Sequence, residues 1–141
     1  MTRGATGRLT TAVGSGSAAM EIIAGSRGFV LRQIDISLAA ATASIYQLGR
    51  PAAKGITPTS PVLIMPEASG DPSTLLTGTA LAWATPPTVP TYFYRSAQMA
   101  AVVGQSISWT GLNIIVGAGM SIVLWNGAAN SAAQVNVIID E

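Results

Sequence analysis

The chain has 141 residues, no cysteine, no histidine and a formal net charge of +1. This composition excludes disulfides, thiolate metal sites and histidine-based catalysis, and the balanced charge argues against strong binding to nucleic acid. The length predicts one domain that buries its own core.

The surface of this chain must be poor in charge. Only 9% of the residues are charged, whereas soluble domains average about 25%. A 14.3 kDa chain exposes roughly 6,800 Å² by the usual scaling. Most of that area must be small polar or apolar atoms, and free monomers with such surfaces tend to associate. We therefore expect partners to cover much of it.

The N-terminal segment, residues 1–17, is rich in Gly, Ser and Thr. It lacks the continuous apolar core of a signal peptide, so a cleaved leader is not predicted. Its composition predicts a flexible N-terminal arm in front of a β-sandwich domain spanning 18–141. The arm is either disordered or ordered only against a neighbour. In the second case Arg3 and Arg8 are its charged contacts and candidate interface residues.

Residues 28–38 form the first predicted strand. In its second half Ile34 and Ile36 alternate with polar residues, which is typical of a half-buried strand. In the first half, Leu31 falls on the same face as those polar residues in a regular strand. The pattern predicts either a β-bulge near Arg32 or a first half that is covered on both faces.

A second strand is predicted at residues 43–50, with Ile45 or Tyr46 facing inwards. The short connection at 39–42 predicts that this strand and the strand at 28–38 form a hairpin.

All eight prolines lie between residues 51 and 90. Proline is excluded from central strands, so this region is expected to contribute edge strands and loops. Its irregular part, 66–91, is long for a small domain, and such stretches are often functional. Trp83 lies within it. The tryptophan is either a structural residue or an interface residue, because tryptophan is enriched in interface hot spots.

The C-terminal region carries no charge between Arg95 and Asp140. A membrane-spanning helix needs about 20 predominantly apolar residues in a row, and residues such as Gln105, Asn113 and Asn126 interrupt this stretch. No membrane insertion is therefore predicted.

Several strands are predicted in this region. They cover 106–111, 112–116, 120–125 and 134–139. The link GAG at 117–119 predicts a hairpin between the second and the third. In the last strand Val135, Val137 and Ile139 are expected to share one face. Trp109 alternates with serines and is expected in the core. Trp125 ends a strand and is either buried or at an interface. Short strands at regular spacing with no helical period predict an all-β chain: an antiparallel β-sandwich, jelly-roll-like, with about eight strands.

The sequence offers no set of catalytic residues. No serine has a histidine partner, and GSGSAAM at 14–20 lacks the Gly-Lys-Ser/Thr element of a phosphate loop. Glu67 and Asp71 in PEASGDP resemble a calcium loop faintly, but without its regular alternation of oxygen ligands, so a proline-bounded turn is favoured. We expect no enzyme activity, no metal and no cofactor.

Two stretches resemble small virion proteins of tailed bacteriophages: RGFVLRQIDISLAAATASIYQLGRPAAKGITPTSPV and SISWTGLNIIVGAGMSIVLWN. In that class a strand of the type R-x-V-x-x-I-x-I-x-x-x-x-A-T-A runs into a second strand ending in L-x-R-x-x-x-x-G. The resemblance spans residues 27–141. It implies a β-sandwich subunit of the particle, a decoration (cement) protein on the capsid surface, and it carries over no catalytic residue.

The resemblance also implies partners. These are the major capsid protein or other virion proteins, together with copies of the chain, for which a homotrimer is expected. No nucleic acid, membrane or small-molecule ligand is expected. Two alternatives stay open: a tail or fibre-base adaptor with the same sandwich, and a carbohydrate-binding module that uses Trp83 or Trp125 for stacking.

Overall fold

The computed structural model describes residues 2–71, 77–128 and 132–141, and its regular elements are β-strands. Within these residues the strands are β1 (Arg3–Leu9), β2 (Ser17–Ile23), β3 (Phe29–Leu38), β4 (Ser44–Gly49), β5 (Ile56–Thr59), β6 (Val62–Leu63), β7 (Met65–Pro66), β8 (Gly78–Ala80), β9 (Ala82–Thr85), β10 (Arg95–Met99), β11 (Ser106–Trp109), β12 (Ile114–Val116), β13 (Ser121–Asn126) and β14 (Ala133–Asp140). None of the described residues belongs to a helix long and apolar enough to cross a membrane.

The strands form two antiparallel sheets and a separate ribbon. Sheet A has the order β11-β3-β14-β1-β7, with β12 next to β11 along β3. Sheet B has the order β10-β4-β13-β2-β8-β6, and the ribbon pairs β5 with β9. The prediction of an all-β antiparallel sandwich is confirmed.

The pairing follows a jelly roll. The first four strands pair in reverse order with the later ones: β1 with β14, β2 with β13, β3 with β11 and β12, and β4 with β10. Further pairing of β14 with β3 and of β13 with β4 joins this double ribbon into the two sheets. The strand count exceeds the predicted eight, because β5–β9 and β12 add short strands to the eight of the roll.

The main core lies between the sheets. Strand β14 contributes Val135, Val137 and Ile139, which are fully buried and share one face, as predicted. From sheet B, Tyr46 and Leu48 point into the same cluster. The inward residue of the predicted 43–50 strand is thus Tyr46, because side chains alternate faces along a strand.

Strand β3 carries the bulge expected near Arg32. In its ladder with β14, Gln33 pairs with Ile138, whereas Leu31 pairs with Ile139, so Arg32 is left without a partner across the ladder. The extra residue reverses the side-chain alternation, which places Leu31 as well as Ile34 in the core.

The N-terminal segment differs from its prediction. Arg3–Leu9 is strand β1, paired along its length with β14, so the sandwich begins at residue 3 rather than at 18. This Gly- and Thr-rich strand is ordered because its backbone forms hydrogen bonds with the long apolar strand β14. The composition of the segment alone does not predict this pairing.

Both predicted hairpins are wrong. Strands β3 and β4 lie in different sheets, as do β12 and β13. The connections at 39–43 and 117–120 therefore cross from one sheet to the other. Each of these strands finds its partners far away along the chain, and loop chemistry does not encode such long-range pairing.

The proline-rich region lies mainly at edges, as predicted. Strand β7 ends sheet A beside β1, and β6 ends sheet B beside β8. The β5–β9 ribbon stands outside both sheets.

A cluster at the C-terminus joins three strands. Asp140 of β14 accepts hydrogen bonds from Arg32 Nε at 2.5 Å and from Arg3 Nε at 3.3 Å, and its side chain is 11% exposed. Burial alone would raise the pKa of Asp140, but the hydrogen bonds and charges of Arg32 and Arg3 outweigh burial and place the pKa below its ordinary value of 3.8.

Replacing Asp140 with Asn should therefore remove an acid-sensitive part of the stability. A lowered folded-state pKa stabilises the fold above the unfolded pKa, and this contribution is lost as the pH falls from about 4 through the folded value. We expect D140N to lower the free energy of unfolding at pH 7 by about 1 kcal/mol and to show a smaller further loss below pH 4. Urea unfolding at a series of pH values measures both effects.

Asp35→Asn is the matched control, because Asp35 accepts its hydrogen bonds from the neutral Gln33 side chain. Identical acid profiles for wild type and D140N would contradict the role assigned to Asp140.

Candidate interaction surface

The outer face of sheet B holds a buried carboxylate. Glu21 of β2 is fully buried, and three neutral donors bind it: Ser121 Oγ at 2.6 Å, Trp83 Nε1 at 2.6 Å and the Gly55 backbone N–H at 3.2 Å. A Cβ at Gly55 would lie 2.2 Å from the Trp83 ring, so only glycine allows this close approach. The bonds from Trp83 of β9 and from Gly55, which precedes β5, attach the β5–β9 ribbon to the outside of sheet B, whereas Ser121 belongs to β13 of the sheet itself.

Trp83 and Trp125 belong to one apolar cluster on this outer face. Trp125 is fully buried and packs with Ala18 and Val123, while Trp83 and Phe93 cover them. A partner cannot reach Trp125 in this fold, which corrects the expectation of an interface or sugar-stacking role for that residue. Trp83 is half-buried, packs against this cluster and donates its indole N–H to Glu21, so the residue has a structural role within the chain.

The two candidate arginines of the N-terminal segment make contacts within the chain. Arg3 pairs with Asp140, and Arg8 Nη1 donates to the Thr79 carbonyl at 2.8 Å and to its hydroxyl at 3.1 Å. Partial burial lowers the pKa of Arg8. These arginines fasten β1 to its neighbours, and the structure does not bring them together with Trp83 or Trp125.

A cationic cleft lies beside strand β12, and we call it the Arg50–Lys54 cleft. Its volume is about 270 Å³, and its lining includes Pro51, Val116 and Met120 but no carboxylate among the described residues. Arg50 Nη2 donates to the Ile115 carbonyl at 2.8 Å, and Lys54 Nζ donates to the Gly119 carbonyl at 2.9 Å. The cleft therefore combines apolar walls with two exposed positive charges.

An aromatic groove adjoins this cleft through Arg50. It measures about 460 Å³ and is lined by Pro90, Tyr92, Phe93 and Tyr94 as well as Arg50. The Arg50 guanidinium carbon lies 5.9 Å from the centroid of the Tyr94 ring, within the range of a cation–π contact. Tyr92 is 85% exposed. Composition and periodicity did not predict this groove, although the concentration of aromatics in TYFYRS beside the last prolines is a usable signal.

A second exposed surface lies away from β12, where β7 ends sheet A and β6 ends sheet B. We call it the β6–β7 edge, and it comprises Val62, Leu63, Met65, Glu67 and Asp71, all exposed. Asp71 N donates to the Ala68 carbonyl at 3.2 Å, so the acidic segment is a turn. The described residues contain no group of three or more potential metal ligands. The turn therefore presents its two acids to solvent.

In comparisons with known proteins, no family model matches the chain, and neither a curated protein nor a solved structure matches it. Its function must therefore be inferred from its own surface.

Replacing Trp83 with Phe should destabilise the fold beyond the loss of packing. The substitution leaves one oxygen of the buried Glu21 without its donor, which costs about 1–3 kcal/mol. Trp109→Phe is the matched control, because Trp109 is also half-buried and its indole nitrogen makes no hydrogen bond within the described residues. Urea unfolding of both variants gives the difference, and equal losses would show that the Trp83–Glu21 hydrogen bond contributes nothing.

Proposed function

We propose that this chain is a non-enzymatic structural protein of a tailed-bacteriophage virion, a decoration protein that stabilises the capsid through protein–protein contacts. Its sites of action are exposed surfaces rather than a catalytic pocket. The partners are the major capsid protein or other virion proteins, and copies of the chain itself.

The observation that carries this proposal is the exposure of large apolar side chains on a chain with 9% charged residues. The exposed set includes Leu9, Ile56, Val62, Leu63, Met65, Val89, Tyr92, Tyr94, Val102, Val103, Ile115 and Met120. Single exposed apolar residues are ordinary, but grouped ones on a nearly uncharged surface favour association. A subunit that is permanently packed against neighbours tolerates such a surface.

Two further features support the proposal. The jelly roll places its first and last strands, β1 and β14, side by side within sheet A and leaves loops and short edge strands free for contacts. The family resemblance of residues 27–141 points to the same class of protein. A tail or fibre-base adaptor would use the same surfaces, and only the location in the particle distinguishes the two roles.

A decoration protein should bind capsids that have been assembled without it. We expect the purified chain to cosediment with such capsids to a fixed stoichiometry and to raise the temperature at which they rupture. Gradient sedimentation and dye-release melting measure the two effects. Saturable binding to isolated tails instead of heads would favour the adaptor role, and binding to neither would contradict a virion function.

A second candidate function, carbohydrate binding, is favoured by the aromatic groove. Tyr92 and Tyr94 offer exposed rings for stacking on sugars, beside the hydrogen-bond donors of Arg50. The tryptophans first expected in this role are engaged elsewhere.

If this candidate is correct, glycan binding should be saturable and should weaken at least about tenfold in Tyr92→Ala, a loss of roughly 1.4 kcal/mol. Val103→Ala removes an exposed apolar side chain outside the groove and should leave binding unchanged. Glycan-array screening followed by calorimetry tests this, and an array without any bound glycan rejects it.

A further inference from the structure

The Arg50–Lys54 cleft and the β6–β7 edge are complementary to each other. We propose that copies of this chain associate head to tail, with the β6–β7 edge of one copy seated against the Arg50–Lys54 cleft of the next. The inference rests on the proposed function, because it names the contacts through which the subunits would assemble.

The strand register places Pro66 of β7 and Ile114 of β12 in one row, at opposite edges of sheet A. One row of paired residues crosses sheet A from β7 to β12, through Pro66, Gly4, Ile139, Leu31 and Ile114. The acidic turn follows directly after Pro66, and the cleft lies directly beside Ile115. The row spans four strand spacings, or roughly 19 Å. A neighbouring copy displaced sideways along this row would bring its edge to the cleft.

The charges of the two surfaces are opposite. The cleft presents Arg50 and Lys54, whose partners in the structure are neutral backbone carbonyls. The edge presents Glu67 and Asp71, and neither belongs to an ion pair among the described residues. Arg3 lies beside the edge, because its backbone carbonyl accepts a hydrogen bond from the Glu67 N–H, but its guanidinium group is paired with Asp140. Contact between the two surfaces would thus pair charges that have no ionic partner within the described part of one copy.

Both surfaces also carry the apolar area that an interface buries. Beside the cleft, Ile115 is 67% exposed and Met120 is 58% exposed. On the edge, Met65 is 62% exposed and stands with Val62 and Leu63. Each surface therefore has an apolar centre with charged residues next to it, which is the usual composition of a protein interface.

The placement of the two surfaces disfavours a two-fold dimer. They lie at opposite edges of the fold, so a single two-fold contact cannot pair both of them, and a two-fold axis through either one alone would oppose like charges. A contact between different patches generates a closed ring when the rotation between neighbours closes.

Charge exchange tests this inference. The variant R50E/K54E makes the cleft acidic, and E67K/D71K makes the edge basic. Each should raise the dissociation constant of the assembly at least about tenfold, because like charges then meet at the interface. The fourfold variant R50E/K54E/E67K/D71K restores both opposite charges and the wild-type net charge of +1, so it should assemble like wild type. Sedimentation velocity over a concentration series measures the mass of each.

Arg95→Glu is the control, since Arg95 is exposed and lines neither surface. Circular dichroism and thermal melting establish that each variant is folded. The head-to-tail contact is overturned if R50E/K54E and E67K/D71K both keep the wild-type mass. It is also overturned if the fourfold variant fails to assemble. A monomeric wild type would overturn it too, whereas capsid binding by that monomer would leave the proposed function standing.

Discussion

Strand β13 is buried along its whole length, and the rest of the structure follows from that constraint. All six residues from Ser121 to Asn126 are buried. One face contributes Ile122 and Leu124 to the core between the sheets, and the other contributes Val123 and Trp125 to the outer cluster. The apolar side chains on the outer face must be shielded from solvent, and Trp83 of the β5–β9 ribbon packs against them. Glu21 fixes that ribbon, since a buried carboxylate is stable only where donors surround it.

The small number of charged residues explains why the surface is poor in charge. The chain has seven basic and six acidic residues, and many of them serve internal contacts: Arg3, Arg8, Glu21, Arg32, Asp35 and Asp140. Seven of the thirteen charged residues are left for the rest of the exterior. Two groups of these charges lie beside exposed apolar side chains. They are the basic residues of the Arg50–Lys54 cleft and the acidic residues of the β6–β7 edge. A surface of this kind suits a subunit in an assembly better than a free monomer.

The sequence predicted local features well and long-range pairing poorly. The alternation in β14 and the parity change at Arg32 were legible because each is set by a single strand and its two faces. The jelly roll followed from many short strands without helical periodicity. The two hairpin predictions were wrong because β3 and β12 pair with each other, although they are far apart in the sequence, rather than with the strands that follow them. A glycine-rich link is equally compatible with a tight turn and with a connection between two sheets. Strand β1 was missed because its Gly and Thr residues reveal nothing of the apolar β14 beside it.

The candidate site was the least predictable part. Trp83 and Trp125 were singled out for their residue type, but burial and the Glu21 hydrogen bond engage them internally. Arg50 and Lys54 looked scattered in the sequence, and only the packing of their loop against the turn at 117–120 creates a cleft.

The most direct test of the account is the oxidation of methionines in the wild-type chain at increasing protein concentration. Met65 and Met120 lie on the two proposed contact surfaces, whereas Met20 and Met99 are fully buried and provide the slow reference. Peroxide oxidation followed by peptide mass spectrometry reports their exposure. The account predicts that the oxidation of Met65 and Met120 slows together as the concentration rises. Fast oxidation of both residues at every concentration would contradict it.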